Sequence, residues 1–198
     1  LLWPQMLIVV SAYVGYKGVD NYVLYAVQGY GMNEVDAAGI STTSAWLRPV
    51  AAIAAGYLAD RFLASRIVTL SFLVLCVGYS FFALLDPSPN LVWVLIANIA
   101  ITSIAVYALH AIYFALLAES QIPLGVTGTA IGVISVVGFT PDIFFAPAMG
   151  MLLDNNTLVQ GHQWVFTLMG AFAVLGLLSS FLFMRWSSAA SSKPGEAL

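Results

Sequence analysis

LVWVLIANIAITSIAVYALHAIYFALL, residues 91–117, runs for 27 residues without one Asp, Glu, Lys or Arg. At about 1.5 Å of rise per residue it exceeds the roughly 30 Å of a bilayer's hydrocarbon core. Read as a helix, the stretch satisfies its own backbone and can cross a membrane. Five more apolar stretches share its character: residues 3–28, 35–59, 67–85, 128–153 and 164–186. Short polar breaks separate them, and the break Asp86-Pro87-Ser88-Pro89-Asn90 is a turn because its prolines cannot continue a helix. A β-barrel would need roughly ten-residue segments of alternating polarity, and these runs are too long and too uniformly apolar. The expected fold is an all-α integral membrane bundle of six transmembrane helices over residues 1–186. A disordered cytoplasmic tail, rich in Ser, Ala, Pro and Gly, follows over residues 187–198.

Composition points the same way. Of 198 residues, 61% are hydrophobic and 8% charged, with a mean hydropathy of +0.95. A soluble domain holds about 25% charged residues, and a chain this short has too little interior to hide so much apolar surface. The net charge of -3 comes with no basic run, which argues against nucleic acid as a partner. Cys76 stands alone inside an apolar stretch and reads as a small packing residue. The chain starts at Leu1 and enters an apolar run with no basic leader or cleavage site, so it is expected to begin inside a longer protein.

The six basic residues set an expected topology. Arg61 and Arg66 lie between the second and third stretches, and Arg185 and Lys193 at or after the end of the sixth. The first, third and fifth connections hold no Lys or Arg, and Glu34, Asp36, Asp86 and Asp154 lie in or beside them. Both ends of the chain are therefore expected on the cytoplasmic side of a plasma or inner membrane, with the connection holding Glu119 on that side too. The sequon Asn155-Asn156-Thr157 falls on the outer side and carries little weight. Trp3, Trp93, Trp164 and Trp186 lie near span ends as interfacial anchors.

Lys17, Asp20, Arg48, His110 and Asp142 interrupt the apolar runs. A charge at mid-membrane costs about 2.5–3.5 kcal/mol on insertion scales and persists where it faces a bundle interior or a water-filled path. Lys17, Arg48 and Asp142 each fall thirteen or fourteen residues into their stretches, roughly 20 Å along the helix and near its middle. Helical spacing groups Tyr13, Lys17, Asp20 and Leu24 on one face, Ser41, Ser44 and Arg48 on another, and Ser103, Tyr107, His110 and Phe114 on a third. Such stripes can line a cavity. Simpler readings stand beside this one. Lys17 and Asp20 can neutralise each other, Arg48 and Asp142 can form an interhelical latch, and His110 can be a hydrogen-bonded packing residue. The fifth stretch is punctuated by Gly128, Gly132, Gly138, Pro141, Pro147 and Gly150, which places a hinge at Gly138 and Pro141. Its small residues also read as close-packing faces.

GYLADRFLASR, residues 56–66, joins the second and third stretches. It resembles the G-x-x-x-D-R-x-G-R-R signature of the major facilitator superfamily, which joins the second and third helices of each six-helix half. Gly56, Asp60 and Arg61 match; Leu63 stands where a glycine is usual, and Arg66 is displaced by about one residue. Such weakening is typical of second halves, and Arg48-Pro49 resembles the second half of some organic-anion and sugar-phosphate members. In that light Gly56 lets helices approach, Asp60 caps the next helix, and Arg61 and Arg66 hold the loop inside.

The resemblance implies helices seven to twelve of a twelve-helix secondary transporter, working by alternating access against a preceding N-terminal six-helix half. The two central cations favour a small organic anion such as a carboxylate or sugar phosphate. Lys17 and Arg48 would bind it with Tyr13, Tyr107 and His110, and Asp142 would pair with the cations when the site is empty. A coupled H⁺ or Na⁺ would act through Asp20 or Asp142. Two other functions fit the sequence: a proton-coupled carrier of neutral or cationic compounds, and a self-contained six-helix channel or scaffold. No metal cluster, nucleophile–base pair or phosphate loop points to an enzyme, and neither cofactor nor metal is expected.

Overall fold

The structure, a computed structural model, describes residues 2–120 and 122–191. Among the described residues it is all helix and turn, with no strand. The α-helices are α1 (Leu2–Gly18), α2 (Asn21–Tyr30), α3 (Glu34–Phe62), α4 (Ala64–Leu84), α5 (Val92–Ile112), α6 (Leu116–Glu119), α7 (Leu124–Gly138), α8 (Pro141–Asp154) and α9 (Leu158–Ser191). By length and composition, four segments can cross a membrane: Ala64–Leu84, Pro89–Glu119, Gly125–Asp154 and Leu158–Ser188.

The other two expected spans differ for physical reasons. The first is cut into α1 and α2 at Val19-Asp20, and its pieces of 17 and 10 residues are each shorter than the roughly 20 a crossing needs. The second, α3, is 29 residues long. Glu34, Asp36, Arg48, Asp60, Arg61 and several hydroxyl side chains dilute its apolar character. At the far end α9 runs on through Ser191, so the start of the expected tail is helical; residues 192–198 lie outside the described residues.

The fifth expected span is also cut, between α7 and α8 at Phe139-Thr140. Pro141 has no N–H to offer the carbonyl of Val137. That carbonyl instead accepts from the Thr140 N–H at 3.2 Å and the Thr140 hydroxyl at 2.7 Å. The break therefore leaves no orphaned acceptor at that point, as a break in lipid requires. Gly138 ends α7 where it crosses α1: a Cβ there would collide with the Val9 side chain. The expected hinge pair thus brackets the interruption.

α9 packs on α4 and α1, α5 on α3 and α4, and α1 also meets α7 and α8. Val9, Tyr25, Phe72, Phe82, Leu109 and Phe166 are among the fully buried side chains of the shared core. Trp3, Trp93, Trp164 and Trp186 are all exposed. Cys76 is half-buried and unpaired. α3 and the α7–α8 pair are the most open elements; Trp46, Ile53, Val136 and Ile143 each expose about three quarters of their surface or more.

Asp60 lies inside α3 and caps nothing, and no atom approaches Gly56 from another part of the described chain. The expected roles of those two residues are therefore not played within this bundle. The N-terminus of α4 is instead met by Glu119, whose Oε1 accepts the Ser65 N–H at 3.1 Å. Ser187 in turn donates to the Glu119 carbonyl at 3.1 Å. The α3–α4 elbow, α6 and the end of α9 thus share one end of the bundle. Arg61 and Arg66 are both exposed there, with Arg61 lying over the Phe62 ring.

A candidate solute site between two helix breaks

Lys17 is the last full turn of α1 and Asp142 the first turn of α8, so each stands beside an interruption. Their charges meet: Lys17 Nζ lies 2.7 Å from Asp142 Oδ1. The Tyr13 hydroxyl, one turn before Lys17, donates to Asp142 Oδ2 at 2.8 Å. Both carboxylate oxygens are therefore occupied from α1. The pair remains open, with the Lys17 side chain 36% and the Asp142 side chain 47% exposed.

Arg48 reaches the same place from α3. Its Nη1 donates to the Tyr16 hydroxyl at 3.4 Å, and its guanidinium lies 5.5 Å from the centre of that ring. Tyr16 also packs on the His110 ring at 4.6 Å and on Tyr13 at 5.9 Å, while Tyr13 meets Phe139 at 4.9 Å. Tyr16 was not singled out by the sequence, yet it joins the Lys17 and Arg48 halves of the cluster. Its place one residue before Lys17 and three after Tyr13 is the signal that could have found it.

The simpler charge pairings are not the ones formed. Lys17 takes Asp142, not Asp20, and Arg48 takes an aromatic face, not Asp142. Asp20 sits exposed in the α1–α2 break, which interrupts the helical register that would have stacked it and Leu24 on the Tyr13–Lys17 face. Tyr107 is buried in the core, and Ser103 below it is fully buried; only His110, half-buried, reaches the cluster from that stripe. Ser44 is buried and Ser41 half-buried, leaving Arg48 as the exposed member of the α3 stripe.

Lys17, Arg48 and Asp142 together carry a formal charge of +1 on an open face lined by Tyr13, Tyr16 and His110, with the Asp20 carboxylate close enough to act on Lys17. Such a surface can hold an anion by direct charge and by aromatic stacking.

The chain is a multi-pass helical membrane protein with a cationic and aromatic cluster between its helices. Among curated proteins it is similar to the inner membrane protein YqcE of Escherichia coli, at 28% identity over 113 residues, 57% of this chain and 26% of that protein. It is similar to the inner membrane protein YihN of the same organism, at 31% identity over 80 residues, 40% of this chain and 19% of that protein. The matched parts span about a quarter and a fifth of these relatives. No family model and no solved structure matches.

Proposed function

We propose that this chain forms six membrane crossings, the second half of a major facilitator-type carrier, and helps move a small organic anion by alternating access. Its ends would lie in the cytoplasm and its membrane would be the bacterial inner membrane, as for the two relatives. Because 113 residues make up 26% of YqcE, that protein is about 430 residues long, about twice this chain. The elbow that carries the signature-like residues 56–66 sits at the same bundle end as Glu119 and Ser187, which supports one cytoplasmic end.

The observation that carries the reading is the uncompensated Arg48. Lys17 already holds Asp142, so among the described residues Arg48 is left with the Tyr16 ring and hydroxyl. A charge at this depth costs about 2.5–3.5 kcal/mol, and a cation–π contact returns about 0.5–2 kcal/mol. A positive group left short by that margin selects an anion. An arriving carboxylate or phosphate would bind Arg48 and compete with Asp142 for Lys17. That exchange would loosen the tie between α1 and α8 at the two breaks. Tyr13 would keep Asp142 placed while Lys17 is engaged. The N-terminal six-helix half would cover the open face of α1, α3, α7 and α8, with the lipid bilayer around both halves.

Uptake of gluconate and of glycerol 3-phosphate by cells expressing the full-length protein tests this. Lys17→Gln and Arg48→Gln should each reduce uptake of the transported anion by tenfold or more, about 1.4 kcal/mol of lost interaction. Unchanged uptake in both variants refutes the anion site. Uptake that responds to Asp20→Asn and Asp142→Asn alone would point to the proton-coupled carrier of neutral or cationic compounds.

A further inference from the structure

His162 is fully buried, on the first turns of α9. It lies between two carboxamides of α2. Gln28 Oε1 is 2.9 Å from its Nε2, and Asn21 Nδ2 is 3.4 Å from its Nδ1. A carboxamide oxygen only accepts and its NH₂ only donates. The ring therefore carries its proton on Nε2 and presents Nδ1 as an acceptor. Beside it, Asn21 Oδ1 is buried and has no partner. A buried acceptor left empty is costly and calls for a reason.

We propose that His162 Nδ1 is a proton-binding site, with Asn21 as its two-position partner. A proton arriving at Nδ1 turns that atom from acceptor into donor and would face the Asn21 NH₂. A half-turn of the Asn21 carboxamide removes the conflict. It presents Oδ1 to the new N–H and gives the empty acceptor its bond. Both protonation states of the ring then have a complete set of partners, which an aromatic or aliphatic neighbour could not supply. Gln28 is exposed, so the cluster has a route outward.

Tyr25 packs against the ring at 5.1 Å with the two planes tilted by 50°, and Tyr30 and Phe166 lie against Tyr25. Gln163, the next residue along α9, donates to Asp86 Oδ1 at 3.2 Å. Gly161 meets Leu152 and Leu153 of α8, whose last residue is Asp154. Among the described residues, Glu34, Asp36, Asp86 and Asp154 are the charged groups in or beside the connections at this end of the bundle. Asn21 opens α2 just past the break, four residues after Lys17. The site is separate from Asp20 and Asp142 and stands whether or not the solute is an anion.

The test is a ring-carbon NMR titration of the full-length protein, labelled on histidine and held in bilayers. The His162 signal is assigned by its loss in His162→Gln. In the unaltered protein the signal should titrate reversibly, with the fold intact, between about pH 4 and pH 8. A ring that stays neutral to about pH 4, or changes only as the protein unfolds, overturns the proposal. Asn21→Asp places an anionic acceptor where the carboxamide oxygen would turn, and proton affinity should rise about tenfold or more. A smaller change overturns the assignment of Asn21 as the partner.

Discussion

Gly138→Ala probes the α7–α8 break beside the Lys17–Asp142 cluster. A Cβ at this position would collide with Val9 Cγ1 and lie 3.1 Å from Val9 Cβ. Val9 is fully buried on α1, so it has nowhere to retreat. Overpacking of this kind costs about 1–3 kcal/mol, and Ala returns at most about 1 kcal/mol of helix propensity at the last residue of α7. A net loss of about 1–2 kcal/mol lowers the thermal midpoint by about 3–6 °C for a chain of this size. Val9→Ala alone removes two buried methyl groups and should cost about 1.5–2.5 kcal/mol. Together the two changes should cost less than their sum by about 1 kcal/mol or more, because the atom that obstructs the new methyl is gone and only the 3.1 Å contact remains. The assay is thermal unfolding of purified protein in one detergent, followed by near-ultraviolet circular dichroism across all four variants. Additivity to within about 0.5 kcal/mol would refute a direct α1–α7 contact at this point.

Two further outcomes are expected at the α3–α4 elbow. Leu63 adopts φ +80°, a region where a side chain is strained by about 1–3 kcal/mol. Leu63→Gly should therefore raise the unfolding midpoint and Leu63→Ile lower it, and the reverse order would refute the strain. Glu119→Ala removes the acceptor for the Ser65 N–H and should cost about 1 kcal/mol, with Glu119→Gln losing roughly half as much; equal stability of all three would show that the cap contributes nothing.

Features encoded by a few adjacent residues were legible in the sequence. The Pro141 break follows from one missing N–H, and the all-helical membrane class from uninterrupted apolar runs such as residues 91–117. The α1–α2 break has no proline, and only Gly18 followed by Val19, Asp20 and Asn21 marks it. Asp60 looked like the cap of α4 because it is near in sequence, whereas Glu119 takes that place from 54 residues further on. Partner choice at the Lys17–Asp142 cluster was hidden for the same reason. Spacing along one helix puts Lys17 near Asp20, but the crossing of α1 and α8 brings Asp142 into direct contact with Lys17. The glycine that Leu63 replaces in the resembling signature gains a physical sense from the positive φ found there.

That elbow is a single residue long, with α3 ending at Phe62 and α4 starting at Ala64. Such a link has little slack, so any tilt of α3 against α4 would pivot here. Arg48 lies fourteen residues up one arm, and at about 1.5 Å per residue a swing of about 10° displaces it by about 4 Å. That travel is enough to part the guanidinium from Tyr16. The other arm, α4, is fastened to α9 by the Thr69–Ser180 hydrogen bond and by Phe72 seated over Gly176. A tilt of α3 would therefore move one cation relative to a helix pair that is fastened together.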